Sequence, residues 1–451
     1  MKDILIRNFR CYEEKMIALR PGINLLIGDN AAGKTSLVRA CNLVANAFFC
    51  GYSDENTVWK SAEVDDFRNV VDDESLVMLP EDPICLSFHL GADDLLPILL
   101  PDGTSLAIPE DSLCIEKRSK KNSRNLLEGL KPLREYGARL LLYSHSEDAL
   151  SGKIEQHNAL PVYACFTTED IHASRKFQPS RFKEYSQKPS FGYFECYDCR
   201  GLLDYWLNRL LVLQEAALGD VEIQTVRKAI TKALGEKGCQ IIDDMIVRPM
   251  RGKVFFRLMD GRLVEASLLS DGYKRLVNIV LDIAIRCALL NRVMYGVDSC
   301  EYTHGTVIID EIDEHLHPML QQRVLKALQH AFPRIQFIVT THAPMVISSV
   351  ESNPNNVVYR LWYDQKEKRY LHEEVLTYGL DANLILEEKM QVGSRYEEIQ
   401  QLVNRASDFL NSRQLDEAER IITELEQKTD PTQPTLVRLR SVWNRLKSRG
   451  L

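Results

Sequence analysis

The stretch Gly28-Asp29-Asn30-Ala31-Ala32-Gly33-Lys34-Thr35 decides the fold of this chain. It fits G-x-x-x-x-G-K-[ST], and its surroundings fit as well. Ile23-Asn24-Leu25-Leu26-Ile27 before it reads as a buried strand, and Ser36 to Phe49 after it reads as a helix. In that setting the loop curls so that the backbone N–H groups from Asn30 through Ser36 point inward and cradle a polyphosphate. The N-terminus of the following helix adds partial positive charge at the same place. Lys34 is expected to reach the β- and γ-phosphates, and the Thr35 hydroxyl to join the shell of a Mg²⁺ ion. Gly28 and Gly33 bracket the curl.

Working outward, 451 residues are too many for one ordinary core, so two or three domains are expected. With 45% hydrophobic and 27% charged residues the composition is that of a soluble globular protein. The net charge of −8 argues against wholesale coating of nucleic acid, although a local basic patch remains compatible with it. No apolar run approaches the roughly 20 residues of a membrane span. Met1-Lys2-Asp3 leads into a strand rather than the apolar core of a signal peptide, so the cytoplasm is the expected compartment. Eleven scattered cysteines, an odd number, suit reduced and buried thiols. Cys196-x-x-Cys199 lacks the second pair or the nearby histidines that a zinc site needs.

Asp3 to Phe9 and Lys15 to Leu19 read as an antiparallel pair. Residues 51–81 turn acidic and read as solvated surface. Strands are expected at 83–90, 112–117 and 160–166, and helices at 202–218 and 221–234. Met259-Asp260-Gly261-Arg262 marks a hairpin. Two stretches, 117–124 and 175–183, are basic; each reads either as a solvated loop or as a contact to a nucleic-acid backbone. Beyond Tyr378 the pattern is helical alone, near 395–411, 415–428 and 434–448.

Three further stretches build on the phosphate loop. Thr306-Val307-Ile308-Ile309-Asp310-Glu311 is an apolar strand ending in two acids. Asp310 would steady the Mg²⁺ shell and Glu311 would polarise the attacking water as general base. Gln336 to Pro344 is a second buried strand, and it ends on His342, which can lie on a neighbouring strand and sense the γ-phosphate. Leu268-Leu269-Ser270-Asp271-Gly272-Tyr273 opens a long helix, and its Ser and Gly make a second anion site at a helix N-terminus. One chain has its own cradle already, so the second suggests that two copies sandwich the nucleotide.

Taken in order, these four motifs resemble the ATP-binding-cassette heads of the SMC, RecF and OLD type. Glu311-Ile312-Asp313-Glu314-His315-Leu316-His317-Pro318 is similar to that group's acidic site and D-loop, and Asn8-Phe9-Arg10 resembles its opening strand. The resemblance implies an α/β fold: a phosphate-loop head with a mixed sheet, an antiparallel β subdomain and a helical lid, plus an all-α tail. The expected borders are a head over 1–378, with an insertion at 51–160 and a helical lid at 195–260, and a helical domain over 379–451. ATP and Mg²⁺ are the implied cofactors, and the implied catalytic residues are Lys34, Glu311 and His342. Ser270 and Gly272 would touch the partner copy's γ-phosphate, while His315 and His317 would lie at the seam of a homodimer.

More narrowly, residues 377–451 are similar to the ATPase subunits of Septu and retron-associated anti-phage systems. That resemblance implies an effector nuclease of HNH or Toprim type acting in trans. A RecF-like clamp on duplex DNA is the alternative, and no membrane partner is implied. Three departures stand out. The glutamine that such ATPases keep in a strand-end loop is missing, leaving Thr168, Asp170 and His172 as candidates. The spacing from Ser270 to Asp310 is long, with 294–304 as the insertion. No Toprim acidic set follows the head.

Overall fold

The computed structural model describes residues 1–71, 78–80, 83–91, 94–100, 103–108, 111–118, 127–144, 158–167, 188–197, 202–216, 219–390 and 397–448. They form two compact units, Met1–Ala382 and Asn383–Leu451.

The first unit is organised around β3 (Ile23–Gly28), which is buried at every position. A strand buried on both faces belongs inside a parallel sheet covered by helices. The sheet has six strands in the order β10 (Val162–Phe166), β14 (Gly305–Ile309), β15 (Ile335–Thr340), β3, β16 (Val357–Asp364) and β17 (Arg369–Glu374). Strands β10, β14, β15, β3 and β16 run parallel, and only β17 is antiparallel. Ile309 pairs with Val339 and Phe166, and Leu26 pairs with Thr340, so four strands end at one edge. Strands β16 and β17 form a hairpin, and its first strand also extends the main sheet beside β3.

A second, antiparallel sheet has the order β2 (Tyr12–Ala18), β1 (Asp3–Phe9), β6 (Ile84–His89) and β9 (Leu113–Lys117). Alternating burial along β6 and β9 gives it one packed and one wetter face. Two short ladders, β4 (Asn69–Val71) with β5 (Met78–Pro80) and β7 (Ile98–Leu99) with β8 (Ser105–Leu106), lie in the expected insertion. A third sheet joins β11 (Ile242–Arg248), β12 (Lys253–Leu258) and β13 (Leu263–Glu265). The region expected to be a helical lid over 195–260 is therefore helical only as far as Leu234. Its second half is sheet, because Met245, Val254 and Phe256 alternate with exposed neighbours at the strand period.

The acidic stretch near 65 is also not all surface. Asp66 is fully buried, and its carboxylate accepts from Arg10 Nε at 2.9 Å and Arg39 Nη2 at 3.1 Å. These charge-assisted contacts hold the Asp66 pKa below the usual carboxylate range against the opposing effect of burial. The pair fastens the end of β1 to the helix behind the phosphate loop.

That helix is α1 (Lys34–Asn46); α2 (Lys131–Ser144), α3 (Leu203–Glu215), α4 (Asp220–Leu234), α5 (Asp271–Tyr295) and α6 (Val324–Ala331) complete the longer helices of the unit. Helix α5 has 25 residues and is buried without a break from Arg275 to Asn291. Such burial obliges its polar residues to pair internally. Arg286 donates to Asp282 through Nε at 2.6 Å and Nη2 at 3.0 Å, and to the carbonyls of Gly192 and Phe194 at 2.9 Å each. Trp206 Nε1 of α3 donates to Asp282 Oδ1, which also accepts from Arg286 Nη2. None of the ten described cysteines forms a disulfide, and Cys199 lies outside the described residues. No helix of the described residues is long and apolar enough to cross a membrane.

The second unit stacks α7 (Glu397–Asn411), α8 (Leu415–Lys428) and α9 (Pro434–Ser448) around Leu402, Ala406, Ile421, Ile422, Leu425 and Trp443. Trp443 Nε1 donates to the Leu415 carbonyl at 3.0 Å, tying the end of the unit to its middle helix.

Removing Asp282 isolates a buried guanidinium. Asp282→Ala should lower stability by about 3–5 kcal/mol, read as a shift in the midpoint of urea unfolding. A loss under 1 kcal/mol would mean that α5 is not pinned by this pair.

Candidate nucleotide site

The phosphate loop leaves β3 at Gly28 and enters α1 at Lys34, with Gly33 as the residue before the helix. Gly33 has φ of 90°, a left-handed conformation, and a Cβ there would sit 2.5 Å from the Tyr12 hydroxyl. That hydroxyl donates to the Gly33 carbonyl at 3.0 Å, so the turn is braced from β2. Only glycine meets both conditions. Ala31 also has positive φ, 66°, which turns its backbone within the loop.

Lys34 is buried, and its Nζ donates to the Gly28 carbonyl at 2.7 Å and the Asp29 carbonyl at 2.9 Å. Burial lowers its pKa; Asp310, Asp29, Glu311 and Asp313, in that order, oppose the shift. Four carboxylates therefore lie within electrostatic reach of one ammonium, and they come from two separate segments of the chain, the phosphate loop and residues 310–313.

Thr340, the last residue of β15, organises the two acids after β14. Its hydroxyl lies 2.5 Å from Asp310 Oδ1 and 2.7 Å from the Glu311 N–H. It donates to the carboxylate and accepts from the amide. The Asp310 N–H donates across to the Phe166 carbonyl of β10 at 2.9 Å. Glu311 itself has φ of 50°, which reverses the usual alternation of a strand and leaves its carboxylate exposed. Asp313 serves the neighbouring strand end: it accepts from the Thr341 hydroxyl at 2.5 Å and from the His342 N–H at 3.3 Å. His342 is half-buried at the end of β15, between the acids and the phosphate loop.

Arg275 is a residue that motif reading passed over. It is buried on the second turn of α5 and donates to the carbonyls of Asp310 and Glu311 at 2.9 Å each, and to Glu314 Oε2 at 2.8 Å. The signal in the sequence was an arginine inside an otherwise apolar helix, where a charge needs a fixed partner. Gly272, one turn earlier, meets the same loop: a Cβ there would stand 2.5 Å from the His315 carbonyl. Its immediate structural role is this close approach. Ser270 precedes α5 without capping it through its side chain and is exposed. His315 is exposed with φ of 60°, and His317 Nδ1 accepts from the Met319 N–H at the start of a short helical turn.

Among the described residues no group of three or more His, Cys, Asp or Glu side chains is arranged to hold a metal unaided. The exposed Thr35 hydroxyl and the half-buried Asp310 carboxylate, both beside the loop, suit an ion whose other ligands are phosphate oxygens and water. Thr168, Asp170 and His172 lie outside the described residues. So do the basic stretch 175–183 and most of 117–124. Of the latter, Lys117 is buried, donates to the Ala62 carbonyl and sits 5.8 Å from the Phe67 ring centre, and Arg118 pairs with Glu116. Lys117 is thus a packing residue and not a free cation for DNA.

One parallel sheet thus brings a phosphate loop, an Asp-Glu strand end and a histidine strand end to one edge, and the Ser-Asp-Gly helix start meets the loop after the two acids. In the family comparisons, residues 1–196 match the model described as "AAA ATPase domain", and residues 143–348 match "AAA domain, putative AbiEii toxin, Type IV TA system". Among curated relatives, the chain is similar to the Retron Ec83 probable ATPase of Escherichia coli, 32% identical over 41% of this chain and 33% of that one. It is similar to the Retron Vc95 probable ATPase of Vibrio cholerae, 39% identical over 24% of this chain and 20% of the other. The Septu protein PtuA of Bacillus mycoides is 43% identical over 29% of this chain and 16% of its own length. The matched regions therefore span a third or less of each of these relatives.

Thr340→Val removes both hydrogen bonds of the strand-end clasp while keeping the side chain's volume. ATP affinity measured by calorimetry should stay within a few-fold, whereas turnover in a phosphate-release assay should fall about 10–100-fold. Equal losses in binding and turnover would contradict this division of roles.

Proposed function

We propose that two copies of this chain close around ATP and that the closed state controls a separate effector nuclease in anti-phage defence. The observation that carries the reading is the approach of Gly272 to the His315 carbonyl. It sets the exposed Ser270 beside the loop that follows the two acids, where a second copy can reach it. The names of the retron and Septu relatives supply the defence context.

In this reading Lys34 and the N–H groups from Asn30 to Ser36 bind the phosphates of one nucleotide. Ser270 and the helix N-terminus at Gly272 of the other copy close on its γ-phosphate. Thr35 and Asp310 would hold a Mg²⁺ ion, which would supply charge neutralisation at the transferred group. Glu311, exposed on its left-handed turn, takes the proton of the attacking water. His342 donates to the γ-phosphate and so distinguishes ATP from ADP. The energy available to the effector is the difference in interface affinity between the two nucleotide states. Slow hydrolysis then acts as a timer. HNH and Toprim nucleases are the effector classes this scheme favours, acting from a second polypeptide.

Glu311→Gln should bind ATP, accumulate as an ATP-dependent dimer in sedimentation analysis and lose turnover at least 100-fold. Lys34→Ala should lose binding itself. Ser270→Arg should bind ATP as a monomer. Wild-type turnover in Glu311→Gln would overturn the assignment of the base; an ATP-dependent dimer of Ser270→Arg would overturn the composite site.

A further inference from the structure

The antiparallel sheet carries a pair of thiols that the nucleotide site does not use. Strands β6 and β9 run in a register that sets Cys85 opposite Glu116 and Ser87 opposite Cys114. Side chains two residues apart share a face of a strand. Cys85, Ser87, Cys114 and Glu116 therefore stand together on the wetter side, while Leu86, Phe88, Leu113 and Ile115 fill the packed side. On the next strand, Arg7 of β1 lies opposite Cys85. The two thiols are diagonal neighbours, and they touch. Cys85 Sγ stands 3.0 Å from Cys114 Sγ and 3.5 Å from the Ser87 hydroxyl. Both cysteines are half-buried, whereas Cys41, Cys165, Cys196, Cys239, Cys287 and Cys300 are buried. These two depart from the expectation of scattered, buried thiols.

Their surroundings give the two sulfurs different parts. A hydrogen bond from the Cys114 thiol, with smaller help from the Ser87 hydroxyl and Arg7, holds the Cys85 thiol below its usual range against the opposing effect of burial. The same bond raises Cys114. Elsewhere burial pushes Cys41 and Cys239 up to about 12 and Cys50 up to about 11. Cys114 is also roofed by the short turn at Glu128–Leu130: a Cβ on Gly129 would stand 2.6 Å from the Cys114 carbonyl and 3.0 Å from its Cβ. The charged groups beside Cys85 are tied to other side chains, Arg7 to Glu14 at 2.8 Å and Glu116 to Arg118 at 3.3 Å. Thiolate character and access together make a cysteine reactive, and here both favour Cys85.

We propose that Cys85 and Cys114 are an oxidisable dithiol site, which a hydroperoxide closes into a reversible disulfide between β6 and β9. The Cys85 thiolate attacks one oxygen of the hydroperoxide. The O–O bond breaks, and the departing oxygen takes a proton from solvent and leaves as water or an alcohol. Cys85 is then a sulfenic acid. The Cys114 sulfur attacks it, the S–S bond forms, the S–O bond breaks, and the hydroxyl leaves as water with the Cys114 proton. Two thiols lose two electrons, and the peroxide gains them. Sulfurs already in contact need no refolding to join. Both are half exposed, so the bond stays within reach of a small dithiol reductant, as labile disulfides do. No residue of this pair belongs to the nucleotide site, so the proposal stands independently of the ATPase reading.

The first test needs no variant. Trypsin releases residues 69–117 as one peptide, because no Lys or Arg lies between Arg68 and Lys117, and Cys85 and Cys114 are its only cysteines. The reduced full chain is treated with a small excess of hydrogen peroxide, quenched with N-ethylmaleimide in urea, digested and weighed. The peptide should be lighter by two hydrogens and carry no maleimide at a time when Cys50 still takes the label. Digestion before the aspartates that separate the two cysteines should leave the halves joined, and dithiothreitol should return both thiols to alkylation. In Cys114→Ser the sulfenic acid has no resolving thiol, so dimedone should label Cys85. In Cys85→Ser, Cys114 should take at least about 10-fold less dimedone. A peptide that keeps both maleimides after Cys50 has been oxidised would overturn the proposal. So would Cys85 joined to another cysteine, a bond between two chains on a non-reducing gel, or dimedone that prefers Cys114.

Discussion

The turn at the end of β14 is the constraint on which the nucleotide site depends. Two adjacent residues of a strand face opposite ways, yet Asp310 and Glu311 both work at one edge of the sheet. The chain reconciles this by placing Glu311 at φ of 50°. A non-glycine residue there costs on the order of 1–3 kcal/mol, and it persists only where neighbours over-determine it. Here they do. The Glu311 N–H is held by the Thr340 hydroxyl, its carbonyl by Arg275, and the preceding carbonyl by the same guanidinium. A local strain is thereby fixed by two elements that are far away in sequence.

That arrangement makes α5 more than a core helix. Its N-terminal residue approaches the turn through Gly272, its second turn grips the turn through Arg275, and its middle is locked by Arg286 and Asp282 to Trp206 and the 192–194 backbone. The helix is buried almost throughout, so it cannot slide without breaking internally satisfied ion pairs. Any contact that shifts Ser270 acts on a body whose nearest neighbour is the backbone of both acids.

Much of this was legible in the sequence, for physical reasons that differ by residue. The phosphate loop, the apolar runs of β3, β14 and β15, and the three terminal helices announce themselves by period and by glycine or proline placement. The alternating strands β1, β6 and β9 do so as well. Features that depend on a partner distant in the chain were not legible. Asp66 looks like one acid among many until Arg10 and Arg39 meet it. Lys117 looks like the head of a basic run until it turns inward over Phe67. Strand β11 breaks its alternation at Asp243-Asp244, where its register with β12 shifts, so it does not stand out before β12 pairs with it. Arg275 carries no motif, because its three acceptors come from a loop 35 to 39 residues later.

The charge balance at the loop explains why these distant contacts matter for chemistry. Burial lowers the Lys34 pKa, and the surrounding carboxylates oppose that shift without cancelling it. The same carboxylates leave the neighbourhood net negative, so a polyphosphate alone would be repelled by Asp310 and Glu311 at close range. In the proposed reading Thr35 and Asp310 would hold a cation that offsets that repulsion, and Glu311, exposed on its left-handed turn, would keep its charge for a proton. Two acids that are neighbours in sequence thus stand in different surroundings through backbone geometry. Thr340 and Arg275 are the groups that hold that geometry in place.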